Sequence, residues 1–170
     1  MKKTIDPAAS ALSAMAYFSD GVSQLERAMD NLQMRTLIAE VADLIFAMKG
    51  RLIISGVGKS GHVARKLAAT FASTGTPAYF VHAAEASHGD LGMIVDGDLC
   101  LLISNSGETA ELRDLVAHTR RFSIPMAAIS SKAGSTLMKA ADFALCLPDA
   151  PEACAIGMAP TTSTTMMIAL

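Results

Sequence analysis

The chain has no tryptophan, only 5% aromatic residues and three cysteines among its 170 residues. Cys100, Cys146 and Cys154 lie far apart and form no C-x-x-C. An odd, scattered set argues against a disulfide framework and for a reducing compartment, so a cytoplasmic location is expected. Cys100 and Cys146 stand in apolar runs and should be buried, whereas Cys154 stands in a polar loop and is the one to watch for reactivity. No basic block is present and the net charge is -2, which excludes nucleic acid as the main partner. No uninterrupted apolar run approaches the roughly 18 residues of a spanning helix, so no membrane partner is expected. Linkers, internal repeats and low-complexity tracts are also lacking. The start, "MKKTIDPAASALSAMAYF", imitates a secretory signal, but Asp6 and Pro7 interrupt it. A cap followed by proline reads better as the first turn of a helix.

What is present suits a compact domain: 51% hydrophobic and 18% charged residues, with Ala and Met filling much of the apolar quota. The eleven methionines read as core filler. Residues 1–50 read as a helical segment. Leu25, Met29, Leu32, Leu37, Val41, Leu44, Ile45 and Met48 recur at helical spacings, and Gly50 stands where a helix-terminating glycine belongs. Residues 51–170 carry five short apolar runs, "RLIISGVG", "PAYFVH", "DLCLLISNS", "PMAAIS" and "DFALCLP". They are apolar nearly throughout, which predicts strands covered on both faces in a parallel sheet. Helical stretches at 60–72, 109–121 and 135–141 lie between them. The alternation predicts an α/β fold, a doubly wound five-stranded sheet flanked by helices. The chain stops inside "TTSTTMMIAL", which looks like the opening of a helix and suggests a truncated C-terminus.

"SGVGKSG", residues 55–61, has the look of a phosphate loop. A triphosphate loop needs a glycine five positions before Gly58, where Ile53 stands, and no convincing magnesium-binding aspartate follows a strand. Gly56, Gly58 and Gly61 match the dinucleotide fingerprint G-x-G-x-x-G, but His82 stands where the ribose-binding acid belongs. A second loop, "SNSGET", residues 104–109, offers Ser104, Ser106 and Thr109 beside backbone N–H groups at a helix start. Helix capping needs one such hydroxyl; three and a glycine fit a single small phosphate. In an open sheet the first and third strands can be neighbours, so both loops would open into one crevice.

These loops resemble those of sugar isomerase (SIS) domains, and more narrowly those of bacterial arabinose-5-phosphate isomerases. The matching segments are "GVGKSGHVARKLAATFASTGTPAYFVHAAEASHGDLGMI", "ISNSGETAEL" and "EACAIGMAPTTSTT". The resemblance covers nearly everything after Gly50 and implies a flavodoxin-like SIS fold, a phosphorylated pentose ligand and no cofactor. It implies interconversion of D-arabinose 5-phosphate and D-ribulose 5-phosphate in supply of the sugar Kdo, and a homo-oligomer, dimer or tetramer. Such proteins usually continue into paired CBS domains and carry a histidine in an S-H-P-G-G stretch, neither of which has a counterpart before Leu170. A binding module with the same pocket and no turnover is the alternative function.

Moving a carbonyl between C1 and C2 through an enediolate calls for a carboxylate base, an acid–base group near the ring oxygen and charge at the oxyanion. Glu152 in "PEACAIG" is the first candidate base and Glu111 the second, with a helix-dipole role as Glu111's plain alternative. Lys59 would hold the phosphate or the enediolate, and His88 would shuttle the ring-opening proton. Substrate-binding roles fall to Ser55, Gly58, Ser60, Ser104, Ser106, Thr109, Thr161 and Ser163. His82, Glu85, His88 and Asp90 fit no standard zinc spacing, so no metal is expected. His62 reads as structural.

Overall fold

The computed structural model describes residues 6–154 and 156–170; Lys2 and Lys3 of the signal-like start lie outside them. Two helices open the chain, α1 (Pro7–Met29) and α2 (Leu32–Ala47). Asp6 caps the first through Oδ1, which accepts from Ala8 N at 2.9 Å, and Pro7 fills the first turn. The apolar stripe of residues 25–48 hides a break: Asn31 caps α2 through its own Oδ1, 2.8 Å from Gln33 N. Gly50 does not end a helix, since α2 stops at Ala47. Its glycine is needed because a β-carbon there would lie 2.5 Å from Asp98 Oδ1 and 2.6 Å from the Gly97 backbone.

Beyond Gly50 the chain alternates β1 (Leu52–Gly56), α3 (Gly58–Ser73), β2 (Ala78–Phe80), α4 (Ala83–Ser87), β3 (Leu99–Ile103), α5 (Arg113–Phe122), β4 (Met126–Ser130), α6 (Thr136–Ala140), β5 (Phe143–Cys146) and α7 (Thr162–Ala169). Two 3-10 turns, Asp90–Met93 and Ala110–Leu112, complete the order. The strands form one parallel sheet in the order β2-β1-β3-β4-β5, a doubly wound α/β arrangement. β1 and β3 are neighbours, as expected, with Gly56 level with Ile103.

The sheet separates two apolar layers. Leu52, Ile54, Leu101, Ile103 and Ile129 face a cluster that includes Leu25 of α1, Val41 of α2, Val63 and Ala64 of α3, and Met166 and Met167 of α7. Ile53, Cys100, Leu102 and Met126 face Ala83 and Ala86 of α4, Leu115 of α5, and Leu137 and Met138 of α6. Met126, Met138, Met166 and Met167 are the core filler expected of methionine, while Met15 and Met158 are exposed. The central strands β1, β3 and β4 are buried along their whole length. β2 and β5 are not covered on both faces, because each lies at a sheet edge; Tyr79 is 51% exposed and Cys146 is half-buried rather than buried.

Two Arg–Asp clamps fix the amino ends of the strands. Asp98, buried, accepts from Arg51 N at 2.8 Å, Arg51 Nη2 at 3.0 Å and Val95 N at 3.0 Å. Asp142 accepts from Met126 N at 2.9 Å and Arg120 Nη1 at 3.0 Å, while Arg120 also donates to the Ala140 carbonyl. The site elements sit at the opposite, carboxyl edge.

Candidate functional site

The two glycine- and serine-bearing loops leave β1 and β3 side by side. Gly56 and Gly61 let α3 approach the sheet. A β-carbon on Gly56 would lie 2.9 Å from Ile103 O, and one on Gly61 would lie 2.7 Å from Gly56 O. Gly58 has φ +58, a left-handed turn, with open space around it. The fingerprint glycines thus serve turn geometry and close packing, needs that arise without a dinucleotide. Lys59 and Gly58 are exposed in the first turn of α3 and Ser60 is half-buried. Lys59 takes part in none of the four ion pairs among the described residues. Ser55 is fully buried in β1, and its Oγ has no hydrogen-bond partner among the described residues. The open part of this loop is therefore residues 58–60.

The second loop is held rigidly. Ser104 Oγ lies 2.7 Å from Thr109 Oγ1 and accepts from Gly107 N at 3.0 Å. Ser106 Oγ accepts from Glu108 N at 3.2 Å. Asn105 ties the loop to the end of β4: its carbonyl accepts from Ser130 Oγ at 3.1 Å, and its Oδ1 accepts from Ser131 Oγ at 2.6 Å. Gly107 has φ +67 and abuts Ser135, and its carbonyl accepts from Leu137 N at 3.0 Å. Glu108 Oε1 accepts from Thr136 N at 2.7 Å, which holds its carboxyl below the usual range. Asn105, Glu108, Ser130, Ser131 and Ser135 were not singled out from the sequence. A serine pair ending the "PMAAIS" run was the available signal, but its partner is 26 residues away.

The loop leads straight into the 3-10 turn carrying Glu111, which is exposed and engaged in none of the ion pairs among the described residues. α5 begins only at Arg113, so Thr109 stands at the cap position of the 3-10 turn rather than of a long helix, and its hydroxyl bonds Ser104 instead of capping the turn. α4 packs against that turn. His82 caps α4, its Nδ1 accepting from Ala84 N at 3.2 Å, which leaves the ring proton on Nε2. His88 closes α4 at its other end and is exposed, and His62 is exposed on α3. Among the described residues no group of three or more His, Cys, Asp and Glu side chains is placed to hold a metal ion.

The segment after β5 returns across the same edge. Glu152 is half-buried and its Oε2 accepts from Thr161 N at 2.7 Å, Thr161 Oγ1 at 3.0 Å and Ser163 N at 3.3 Å. Burial pushes its carboxyl up, but the donors of Ser163 and Thr161 outweigh that and leave it below the usual carboxylate range. Thr161 Oγ1 in turn accepts from Ala153 N at 2.8 Å. Ser163 is buried, with its Oγ unpartnered among the described residues. The hydroxyl of Thr161 is thus committed to Glu152 and Ala153, and that of Ser163 is enclosed. Cys154 is half-buried, and the backbone N–H groups of Ala159, Ile156 and Met158 hold its thiol below its ordinary value.

A groove of about 490 Å³ lies elsewhere, between α2, α3 and α7, and contains no residue of the serine loop. Its lining, including Ile38, Leu67, Phe71 and Met167, is mainly apolar. Its polar members are engaged locally: Lys66 Nζ donates to Thr70 Oγ1, and the hydroxyls of Thr70 and Thr74 donate to backbone carbonyls of α3. Among the described residues no helix is long and apolar enough to cross a membrane.

Comparison with known proteins matches residues 45–170 to the SIS-domain family model. The arabinose 5-phosphate isomerase KpsF of Escherichia coli is 47% identical over 169 residues, which are 98% of this chain and 50% of that protein. The arabinose 5-phosphate isomerase KdsD of Yersinia pestis is 47% identical over 151 residues, 89% of this chain and 44% of that protein. The chain thus spans about half the length of these curated relatives. A solved structure of c3406 from E. coli CFT073, in complex with arabinose 5-phosphate, superimposes with a TM-score of 0.83 at 35% identity, covering 97% of this chain and 87% of that one.

Proposed function

The chain belongs to the SIS-domain family, and from that premise we propose that it is an aldose–ketose isomerase interconverting D-arabinose 5-phosphate and D-ribulose 5-phosphate. The observation that carries the reading is the Ser104–Thr109 loop, held by Asn105, Glu108 and Gly107 against β4 and α6. A rigid loop of hydroxyls and backbone N–H groups binds a phosphate without having to order itself first. The names of KpsF and KdsD, and the arabinose 5-phosphate bound to c3406, support a phosphopentose over other phosphate esters.

Ser104, Ser106 and Thr109 receive the phosphate, with Gly58 and Ser60 from the neighbouring loop closing on it. The sugar chain then runs along the carboxyl edge toward the carboxylates. Ring opening exposes the C1 aldehyde, and the proton leaves C2 for a carboxylate and returns at C1. The enediolate between the two steps carries negative charge, which Lys59 offsets. His88 relays the proton during ring opening. Ser55, Thr161 and Ser163 shape the walls from behind rather than through free hydroxyls. The steps need no redox or metal cofactor. By its resemblance the protein serves Kdo synthesis, works in the cytoplasm and assembles as a homo-oligomer.

The test incubates the chain with D-arabinose 5-phosphate in D₂O and follows the sugar by proton NMR. Loss of the C2 proton signal and growth of ribulose 5-phosphate are expected. Saturable binding with neither change would replace the enzyme by a phosphosugar-binding module.

A further inference from the structure

On the reading that this crevice takes a phosphopentose, we infer that His82 is a further substrate-binding residue. Its Nε2–H is a donor held ready for a hydroxyl oxygen of the sugar chain, on the α3 side of the crevice.

Topology places the residue. In dinucleotide-binding sheets of this kind, an acid at the end of the second strand bonds the ribose hydroxyl. His82 stands at that position, just past β2. Phe80 of β2 is level with Ile54 of β1, and Val81 N donates to Ile54 O at 3.0 Å. Two residues further on, this register brings His82 level with Gly56, where the loop to Gly58 and Ser60 begins. Ala78 and Phe80 face the apolar layer that contains α3, and Val81 faces the other layer. The alternation puts His82 on the same side as Phe80, beside the opening turn of α3. A β-carbon on Gly61 of that turn would lie 3.8 Å from Phe80 Cζ.

The imidazole is fixed from two directions. It meets the Phe80 ring in a T-shaped contact, 6.1 Å between centroids and 78° between planes. Arg65 of α3 holds that ring in turn, its Cζ 4.0 Å from the Phe80 centroid. Nδ1 accepts from Ala84 N and so caps α4. α4 packs on the 3-10 turn that follows the serine loop, so the cap ties His82 to the second loop as well.

With Nδ1 committed as an acceptor, Nε2 carries the proton. The bond from Ala84 is the only side-chain hydrogen bond of His82 among the described residues, and His82 belongs to none of their ion pairs. The residue is half-buried rather than enclosed. A single N–H donor, oriented by packing and left without a partner, suits the oxygen of a sugar hydroxyl. An acid at the same place would repel the nearby phosphate.

Two variants separate the donor from the cap. His82→Asn keeps an acceptor for Ala84 N, since asparagine is a good cap, but ends short of Nε2. His82→Gln reaches as far as Nε2 with an N–H donor of its own. Calorimetric titration gives the affinities for D-arabinose 5-phosphate and for inorganic phosphate, and hydrogen exchange reports the Ala84 amide. His82→Asn is expected to keep Ala84 protected and to bind inorganic phosphate as the parent chain does. It should bind the sugar phosphate about 3- to 10-fold more weakly, the loss of one hydrogen bond. His82→Gln should recover part of that loss. In the parent chain, imidazole nitrogen NMR should show an Nε2 resonance that moves on saturation with the sugar phosphate and not with inorganic phosphate. Unchanged sugar-phosphate affinity in His82→Asn, or an Nε2 resonance that saturation leaves in place, would overturn the inference and leave His82 a cap alone. Equal losses for both ligands would overturn it too, because the ring would then act through the loops. A parent chain that binds inorganic phosphate but not the sugar phosphate would instead sink the phosphopentose reading, and this contact with it.

Discussion

A β-carbon placed on Gly107 would overlap the hydroxyl of Ser135, the residue that caps α6. The serine loop and α6 are therefore in such close contact that only glycine fits between them. Gly107 also holds φ +67, where a side chain is disfavoured. Glu108 and the Gly107 carbonyl complete the same contact from either side.

Gly107→Ala should accordingly harm both stability and binding. Left-handed strain alone costs about 1–3 kcal/mol, and the overlap with Ser135 adds to it. Urea unfolding should show that loss, and calorimetric titration with D-arabinose 5-phosphate should show affinity falling by about 10-fold or more. A variant that binds as tightly as the parent chain would mean that the loop's rigidity does not matter to the phosphate.

Removing the hydroxyls of Ser104 and Ser106 together tests the loop by chemistry rather than shape. Hydrogen bonds to a charged group contribute about 1.5–3 kcal/mol each. Ser104→Ala with Ser106→Ala should weaken phosphopentose binding by at least about 10-fold and leave the weak binding of unphosphorylated D-arabinose unchanged. Equal losses for both sugars would indicate general unfolding.

Asp98 predicts a pH dependence of stability. Burial pushes its carboxyl up, but hydrogen bonds from Arg51 and Val95 outweigh this, so the folded value lies below the ordinary one. Such a group stabilises the fold fully above its unfolded value of about 3.9, and that stability is lost as pH falls through the folded value. Asp98→Asn should cost about 1–3 kcal/mol at pH 7, through weakened bonds from Arg51 and Val95 to a buried acceptor. The gap between variant and parent chain should close in urea melts taken progressively below pH 4. A gap that stayed constant down to pH 2 would contradict the ionic role.

Gly21 and Thr162 set the spacing between α1 and α7. A β-carbon on Gly21 would overlap the Thr162 methyl, so Gly21→Ala should destabilise by about 1–3 kcal/mol. Thr162→Ser removes that methyl and should restore much of the loss in the double variant, a coupling readable by thermal unfolding. Strict additivity would show that the two helices do not press on each other there.

The features that sequence made legible are those whose cause is local. Asp6–Pro7 announces a helix start because cap and first turn are adjacent in sequence. The unbroken apolar run of β3 shows a central strand because both its faces are covered. The serine loop is recognisable because Ser104 and Thr109, five residues apart, bond to one another. Edge strands escape such a reading because β2 and β5 carry nearly the same apolar runs as the centre, and only the strand order exposes Tyr79. Gly50 has the look of a helix stop, but its constraint comes from Asp98, 48 residues on. Glu152 has the look of a free carboxylate because its partners, Thr161 and Ser163, meet it only when the chain has closed on itself.

The most direct measurement is an amide NMR titration of the chain with D-arabinose 5-phosphate, with inorganic phosphate as competitor. The largest shifts should fall on the backbone N–H groups of residues 104–109 and 58–60, and phosphate should reverse those of the serine loop. Shifts centred on the apolar groove between α2, α3 and α7, with the serine loop unmoved, would contradict it.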